Sequence, residues 1–219
     1  MMKRGLRAVA VVAAVVVLAS CSSSDAQYVK NTKAGIYLKV PKAWGVFTLR
    51  DGHPMELGAK QVTNGGEAIA ENQTPWLVGV DASAEPSRAN FESGDEPSDP
   101  IGTVQVLPLS ADSTLPRTLA GLRSIFTDDG TDPITKPASG FTVKDYSELE
   151  FPSGHWGIRM TFERSDSSGA TSHTVEALAA FDRTVERVYI VELQCTDSCF
   201  DKHKADIERV LDSVTLERR

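Results

Sequence analysis

Three cysteines, Cys21, Cys195 and Cys199, are the side chains of this 219-residue chain whose positions most suggest chemistry. Cys195 and Cys199 are separated by three residues, and in an oxidising compartment such a pair is typical of a disulfide. A thioredoxin-like redox centre would have two residues between its cysteines. A zinc site would need two further ligands, and only His203 is near. We therefore expect a structural disulfide, with a redox centre as the alternative and no metal.

The segment before Cys21 has the parts of a secretory signal. Lys3, Arg4 and Arg7 make its start basic, and every residue from 8 to 19 is Ala, Val or Leu. Twelve helical residues at about 1.5 Å each reach roughly 18 Å, well short of the ~30 Å hydrocarbon core of a bilayer. The run therefore predicts a signal peptide rather than a membrane-spanning helix.

Leu18-Ala19-Ser20-Cys21 resembles the bacterial lipobox. In proteins with that motif, the thiol receives diacylglycerol, the chain is cleaved before the cysteine, and the new amine is often acylated, as by palmitate. Two or three acyl chains give stable anchoring. The resemblance implies a signal peptide at 1–20, a lipidated tether at 21–34 and a single domain at 35–219. The protein would then be anchored through Cys21 to the extracytoplasmic face of the cell membrane. The alternative is a secreted protein with an incidental cysteine.

The charge of the chain argues against some classes of partner. The precursor has a net charge of −7, and cleavage at Cys21 would leave 20 basic residues against 30 acidic ones, a net charge of −10. Nucleic acids and anionic headgroups both require a basic surface. We expect the folded domain to bind neither, and its acidity to serve solubility.

Common catalytic motifs are absent from the sequence. It has no Gly-x-Ser-x-Gly elbow, no serine followed by lysine three residues later, and no His-x-x-x-His pair. The four histidines are scattered; His155, beside Trp156, has the most defined setting, at the start of a strand. Carboxylate pairs such as Asp128/Asp129 and Glu148/Glu150 are expected by chance among thirty acids. The three tryptophans, at 44, 76 and 156, are expected to pack in the core. We predict no cofactor and no enzymatic activity.

The hydrophobic pattern predicts strands joined by short turns, with two helices. The strands are expected at 36–40, 76–80, 103–107, 156–162, 172–181 and 187–193. Turns this short require the last three strands to be antiparallel. The spacing of Leu115, Leu119, Leu122 and Phe126 predicts a helix. A final amphipathic helix, with Asp201 as a plausible cap, carries the stripe from Ile207 to Val214. The fold class is α+β, an antiparallel sheet covered by helices, ending in a strand meander and a C-terminal helix.

Two parts of the chain are similar to the PsbP/Mog1-like fold, a group with many small lipoproteins of actinobacteria. The run Gly35-Ile36-Tyr37-Leu38-Lys39-Val40-Pro41-Lys42-Ala43-Trp44 is similar to its first strand. The segment Val188–Leu193, with Phe200 and the helix that ends in Leu211-Asp212-Ser213-Val214, is similar to its last strand and helix. The resemblance implies a sandwich of sheet and helices with a role in binding or assembly. It carries over no catalytic or ligand residue.

Three functions remain open. The first is a non-catalytic binding or assembly module of the cell envelope, whose partner would be an envelope protein. The second is a carrier or sensor of a lipid or another apolar ligand. The third is an envelope hydrolase whose Ser, His and Asp are distant in sequence.

Overall fold

A computed structural model describes residues 25–49, 76–91, 97–165 and 172–218. Within these ranges the chain forms ten strands, two α-helices and one 3-10 helix. The strands are β1 (Ala26–Asn31), β2 (Ile36–Pro41), β3 (Gly45–Thr48), β4 (Trp76–Asp81), β5 (Ile101–Pro108), β6 (Phe141–Glu150), β7 (Trp156–Ser165), β8 (Ser172–Phe181), β9 (Arg187–Thr196) and β10 (Thr215–Leu216). The helices are α1 (Leu119–Ser124) and α2 (Asp197–Asp212), and the 3-10 helix is Arg88–Phe91.

The described strands form two antiparallel sheets. The large sheet has seven strands in the order β3-β4-β5-β9-β8-β7-β6, and the small sheet has the order β1-β2-β10. Strands β7, β8 and β9 are antiparallel neighbours, as the lengths of their turns predict. The mostly antiparallel α+β architecture agrees with the sequence analysis. The division into two sheets, and the short strand that follows the last helix, were not expected from the pattern.

Two hydrophobic clusters pack against opposite faces of the large sheet. On one face, α2 and the small sheet bury residues such as Leu38 and Ile207 against Val191 of β9. On the other face, the α1 segment buries Leu122 and Phe126. Strands β8 and β9 have an almost continuous run of buried residues, because both of their faces are covered.

Both helices begin at different residues from those predicted. The side chain of Thr118 accepts a hydrogen bond from the Gly121 amide and caps α1. The helix therefore begins at Leu119 instead of including Leu115, and it contains only six residues. Helix α2 begins at Asp197, before the expected cap at Asp201. The first turn of α2 therefore contains Cys199.

Besides β10, the described strands β1, β3 and β6 lie where the sequence pattern predicts no strand. Strand β1 falls within the range 21–34 assigned to the tether, and all six of its residues pair with β2. Strand β6 has a register shift between Val143 and Asp145. This irregularity places its inward residues at uneven spacing, so the period-two signal of a strand is lost.

Candidate functional site

The predicted cysteine pair lies at the junction of β9 and α2. Cys195 and Cys199 are joined by a disulfide with a Cα–Cα distance of 5.8 Å. Their exposed fractions are 0 % and 5 %. Beside them, the Thr174 hydroxyl donates a 2.6 Å hydrogen bond to Asp197, which connects β8 to the first turn of α2. The bridge thus fixes the last long strand to the last helix, within the core rather than at a surface that a redox partner could reach.

Cys21, with residues 1–24, lies outside the described residues, so its lipidation stays a prediction. Among the described residues, neither α-helix combines the length and the apolar character that crossing a bilayer requires. In the same ranges, no three His, Cys, Asp or Glu side chains form a group that could hold a metal ion.

His155 is the histidine whose surroundings most resemble a catalytic arrangement. Its Nδ1 lies 2.6 Å from the Ser153 hydroxyl. Burial lowers its pKa, and the negative charge of Asp182 partly opposes that shift. The imidazole is 4 % exposed and meets the Tyr189 ring edge-on at 5.5 Å between centroids. Ser153 and His155 belong to one tight turn, so this hydrogen bond reflects local geometry.

The carboxylate of Asp182 is occupied by the turn between β8 and β9. Its Oδ1 accepts hydrogen bonds from the backbone amides of Glu186 at 2.7 Å and Arg187 at 3.2 Å. Its Oδ2 accepts one from the Thr184 hydroxyl at 3.2 Å. Such a side chain holds a turn and has little capacity left to orient His155. The side chains of Ser153, His155 and Asp182 therefore stabilise the turns at the ends of strands.

The tryptophans pack in the core region. Trp44 is 7 % exposed and belongs to the cluster under α2, and Trp76 packs against the same cluster. The Trp156 ring lies 5.0 Å from the Phe181 ring on β8.

A small crevice opens beside the end of the β6–β7 pair. Its volume is about 230 Å³, and its walls include Phe141, Asp128, Asp129 and Arg164. Arg164 donates a 2.7 Å hydrogen bond to the Phe126 carbonyl. The crevice is smaller than the 300–1,000 Å³ of typical ligand pockets. Its walls carry two carboxylates and one guanidinium beside the Phe141 ring.

Glu192 on β9 is a buried acid that the sequence analysis does not single out. It lies opposite Thr103 of β5 and Ala177 of β8, at the centre of the large sheet. Its exposed fraction is 0 %, and among the residues that the structure describes neither carboxylate oxygen has a hydrogen-bond partner. Burial raises the pKa of this carboxyl to about 7, although the positive charge of Arg164 opposes the shift. The available signal was one acid inside the otherwise apolar run from Val188 to Leu193.

A charged cluster under the C-terminal end of α2 was also not predicted. Arg159 of β7 donates through Nε to Glu176 of β8 at 2.7 Å and through Nη1 to Asp212 of α2. Glu176 is 4 % exposed. The guanidinium therefore ties the helix to two strands. Arg159 lies opposite Leu178, so it reaches Glu176 diagonally across the two strands. Such a pair is a weak sequence signal, because the register is unknown beforehand.

Comparison with solved structures identifies a known fold that the chain shares. The solution structure of cyanobacterial PsbP (CyanoP) from Synechocystis sp. PCC 6803 superposes with a TM-score of 0.50 at 12% identity, covering 91% of this chain and 98% of that one. The chain has a PsbP-like fold. At this identity the likeness extends to the fold alone.

Two further structures are similar at lower scores. One is LpqN, involved in cell envelope biogenesis of Mycobacterium tuberculosis, with a TM-score of 0.46, 15% identity and coverage of 88% of this chain and 90% of that chain. The other is the Ran-binding protein Mog1p of Saccharomyces cerevisiae, with a TM-score of 0.48, 6% identity and coverage of 88% and 96%. No family profile and no curated protein matches the sequence.

Proposed function

We propose that the chain is a lipid-anchored protein of the bacterial cell envelope, whose PsbP-like domain is a non-catalytic binding or assembly module on the extracytoplasmic face. The observation that carries this proposal is the position of Cys21. It closes a short apolar run and stands five residues before Ala26, the first residue of an ordered strand. A lipid on Cys21 would therefore hold a folded domain directly at the membrane.

The polar and charged side chains described above have structural roles, which supports a binding function for the domain. Asp182 holds a turn, and Arg159 fixes α2 to the large sheet. The Cys195–Cys199 bridge is buried in the core. Each of these groups maintains the shape of the domain, as expected of a scaffold that presents a surface to a partner.

The anchor is tested by metabolic labelling with an alkyne analogue of palmitate. The parent chain is expressed in a bacterium that processes lipoproteins, beside the variant Cys21→Ser. We expect label on the parent, none on the variant, and release of the variant from the membrane fraction. The variant Cys199→Ser is the matched control, because it makes the same substitution at another cysteine and leaves the lipobox intact. Equal labelling of parent and Cys21→Ser would refute the anchor.

The binding role is tested by cross-linking in intact cells followed by mass spectrometry. We expect the anchored parent to give the same envelope protein in independent cultures. Loss of that partner on release of the domain from the membrane would support an assembly role at the membrane. The absence of any reproducible partner would count against the proposal, and a co-purifying lipid in native mass spectrometry would favour the carrier function instead.

A further inference from the structure

The outer face of the small sheet carries a pattern of tyrosine and lysine. Successive side chains of β1 and β2 point to opposite faces of the small sheet. Val29 and Leu38 point into the core, and the residues on either side of each point outwards. Tyr28 lies opposite Lys39 across the two strands, and its side chain is 64 % exposed. The Lys39 ammonium lies 5.7 Å from the centroid of the Tyr28 ring.

The same face continues with further basic groups. Lys30 is exposed on β1, opposite the half-buried Tyr37 on β2. Lys33, in the turn between the two strands, and Lys42, in the turn after β2, are also exposed. We call the following six residues the basic face: Tyr28, Lys30, Lys33, Tyr37, Lys39 and Lys42. In the described part of the chain, none of its four lysines forms an ion pair.

The charge of this segment is opposite to that of the chain after it. Residues 26–50 contain five basic residues and no Asp or Glu. Residues 51–219 contain 15 basic and 29 acidic residues, a net charge of −14. Asp25 precedes β1 directly, and Asp212, at the end of α2, is bound to Arg159. The segment that forms β1 and β2 is therefore basic within a chain that is acidic in total.

The basic face is also the part of the fold nearest to Cys21 along the chain. Four residues lie between Cys21 and Ala26. At about 3.3–3.6 Å per extended residue, the five steps from Cys21 to Ala26 span at most roughly 18 Å. With a lipid on Cys21, β1 would lie within about two Debye lengths of the headgroups. This step rests on the anchor of the proposed function.

We propose that the basic face lies against the anionic phospholipid headgroups of the membrane that holds Cys21. Lysines can extend their ammonium groups to lipid phosphates, and tyrosine is favoured at the boundary between apolar and aqueous phases. Each lysine near an anionic surface strengthens binding about fivefold. The anchor makes the contact intramolecular, so weak individual contacts are sufficient. The acidic remainder is repelled by the same surface, which fixes the orientation of the domain.

The test uses the mature chain purified with its lipid and placed in vesicles, with and without the anionic lipid phosphatidylglycerol. Lysine reactivity towards an acetylating reagent is measured by mass spectrometry. We expect Lys30 and Lys39 to react several-fold more slowly on anionic vesicles, and high salt to abolish the difference. Lys136, exposed between α1 and β6, is the internal control and should react equally in both. Equal reactivity of Lys30 and Lys39 in both kinds of vesicle would overturn the proposal.

A charge-reversed variant, Lys30→Glu with Lys39→Glu, separates this surface from the anchor. Both side chains are exposed, and circular dichroism checks that the variant folds. The intact mass of each preparation reports whether Cys21 carries a lipid. If Cys21 carries no lipid, the proposed anchor is refuted. The basic face is then tested by sedimentation of the unlipidated protein with the same vesicles. Binding that falls roughly 25-fold or more in the variant, two lysines at about fivefold each, supports the basic face. Equal or no binding by parent and variant overturns it, and Lys136→Glu should leave binding unchanged.

Discussion

Replacing Glu192 by glutamine removes a charge from the centre of the large sheet with almost no change of shape. The carboxyl, ordinarily of pKa 4.5, has a pKa of about 7 in the fold because burial disfavours its charged form. The folded state thus binds this proton more tightly than the unfolded chain does. By linkage, the free energy of unfolding falls as the pH rises from about 4.5 to about 7 and then stays level. Ionisation costs the folded state about 3 kcal/mol.

The Glu192→Gln variant cannot ionise, so its free energy of unfolding should lack this component. We expect parent and variant to differ little near pH 4.5, and the variant to be about 3 kcal/mol more stable relative to the parent near pH 8. For a domain of this size, that is roughly 6–12 °C in Tm. Urea denaturation followed by tryptophan fluorescence at both pH values measures the difference.

Comparing two pH values cancels the contribution of the other titrating groups and any fixed cost of the new amide. Glu150→Gln, the same substitution at an exposed residue of β6, is the matched control and should follow the parent. The reasoning would be refuted if Glu192→Gln lost stability with rising pH as steeply as the parent does.

Three further predictions concern the stability of the fold, each measured by urea denaturation. Cys199→Ser, which opens the bridge to Cys195, should cost about 2 kcal/mol, as expected for a closed loop this short, and reductant should destabilise the parent equally and leave the variant unchanged. Gly102→Ala should cost several kcal/mol, because the new Cβ would lie 1.9 Å from a backbone oxygen of β9. The control Gly130→Ala has open space around the new Cβ and should cost only about 1 kcal/mol, for its positive φ. Asp182→Ala should cost about 2 kcal/mol by leaving two backbone amides without their acceptor, and Asp182→Asn should restore much of the loss, since an amide oxygen can still accept from both.

The sequence predicts most of the central strands because their patterns are regular. The alternation of Ile36, Leu38 and Val40 identifies β2, and the apolar runs of β8 and β9 identify strands covered on both faces. Turn lengths then determine that neighbours are antiparallel. The spacing of Cys195 and Cys199 was enough to expect a bond between them.

Features that depend on three-dimensional arrangement could not be predicted in this way. The register shift in β6 breaks the period of two, and β1 has only one buried residue, Val29, so its pattern resembles that of a linker. The setting of Glu192 depends on which elements cover both faces of β9. The basic face is hidden in the total charge, because a sum over the chain does not report where the charges lie.

The small sheet joins residues that are far apart in the order of synthesis. Thr215 and Leu216 of β10 pair with Tyr37 and Ile36 of β2, and Leu216 is 3 % exposed. The edge of β2 that β10 occupies therefore has no partner until almost the whole domain has emerged from the ribosome or from an export channel. Contacts of such long sequence separation form late and slowly. The small sheet is therefore completed only when residues near both ends of the described domain are present together.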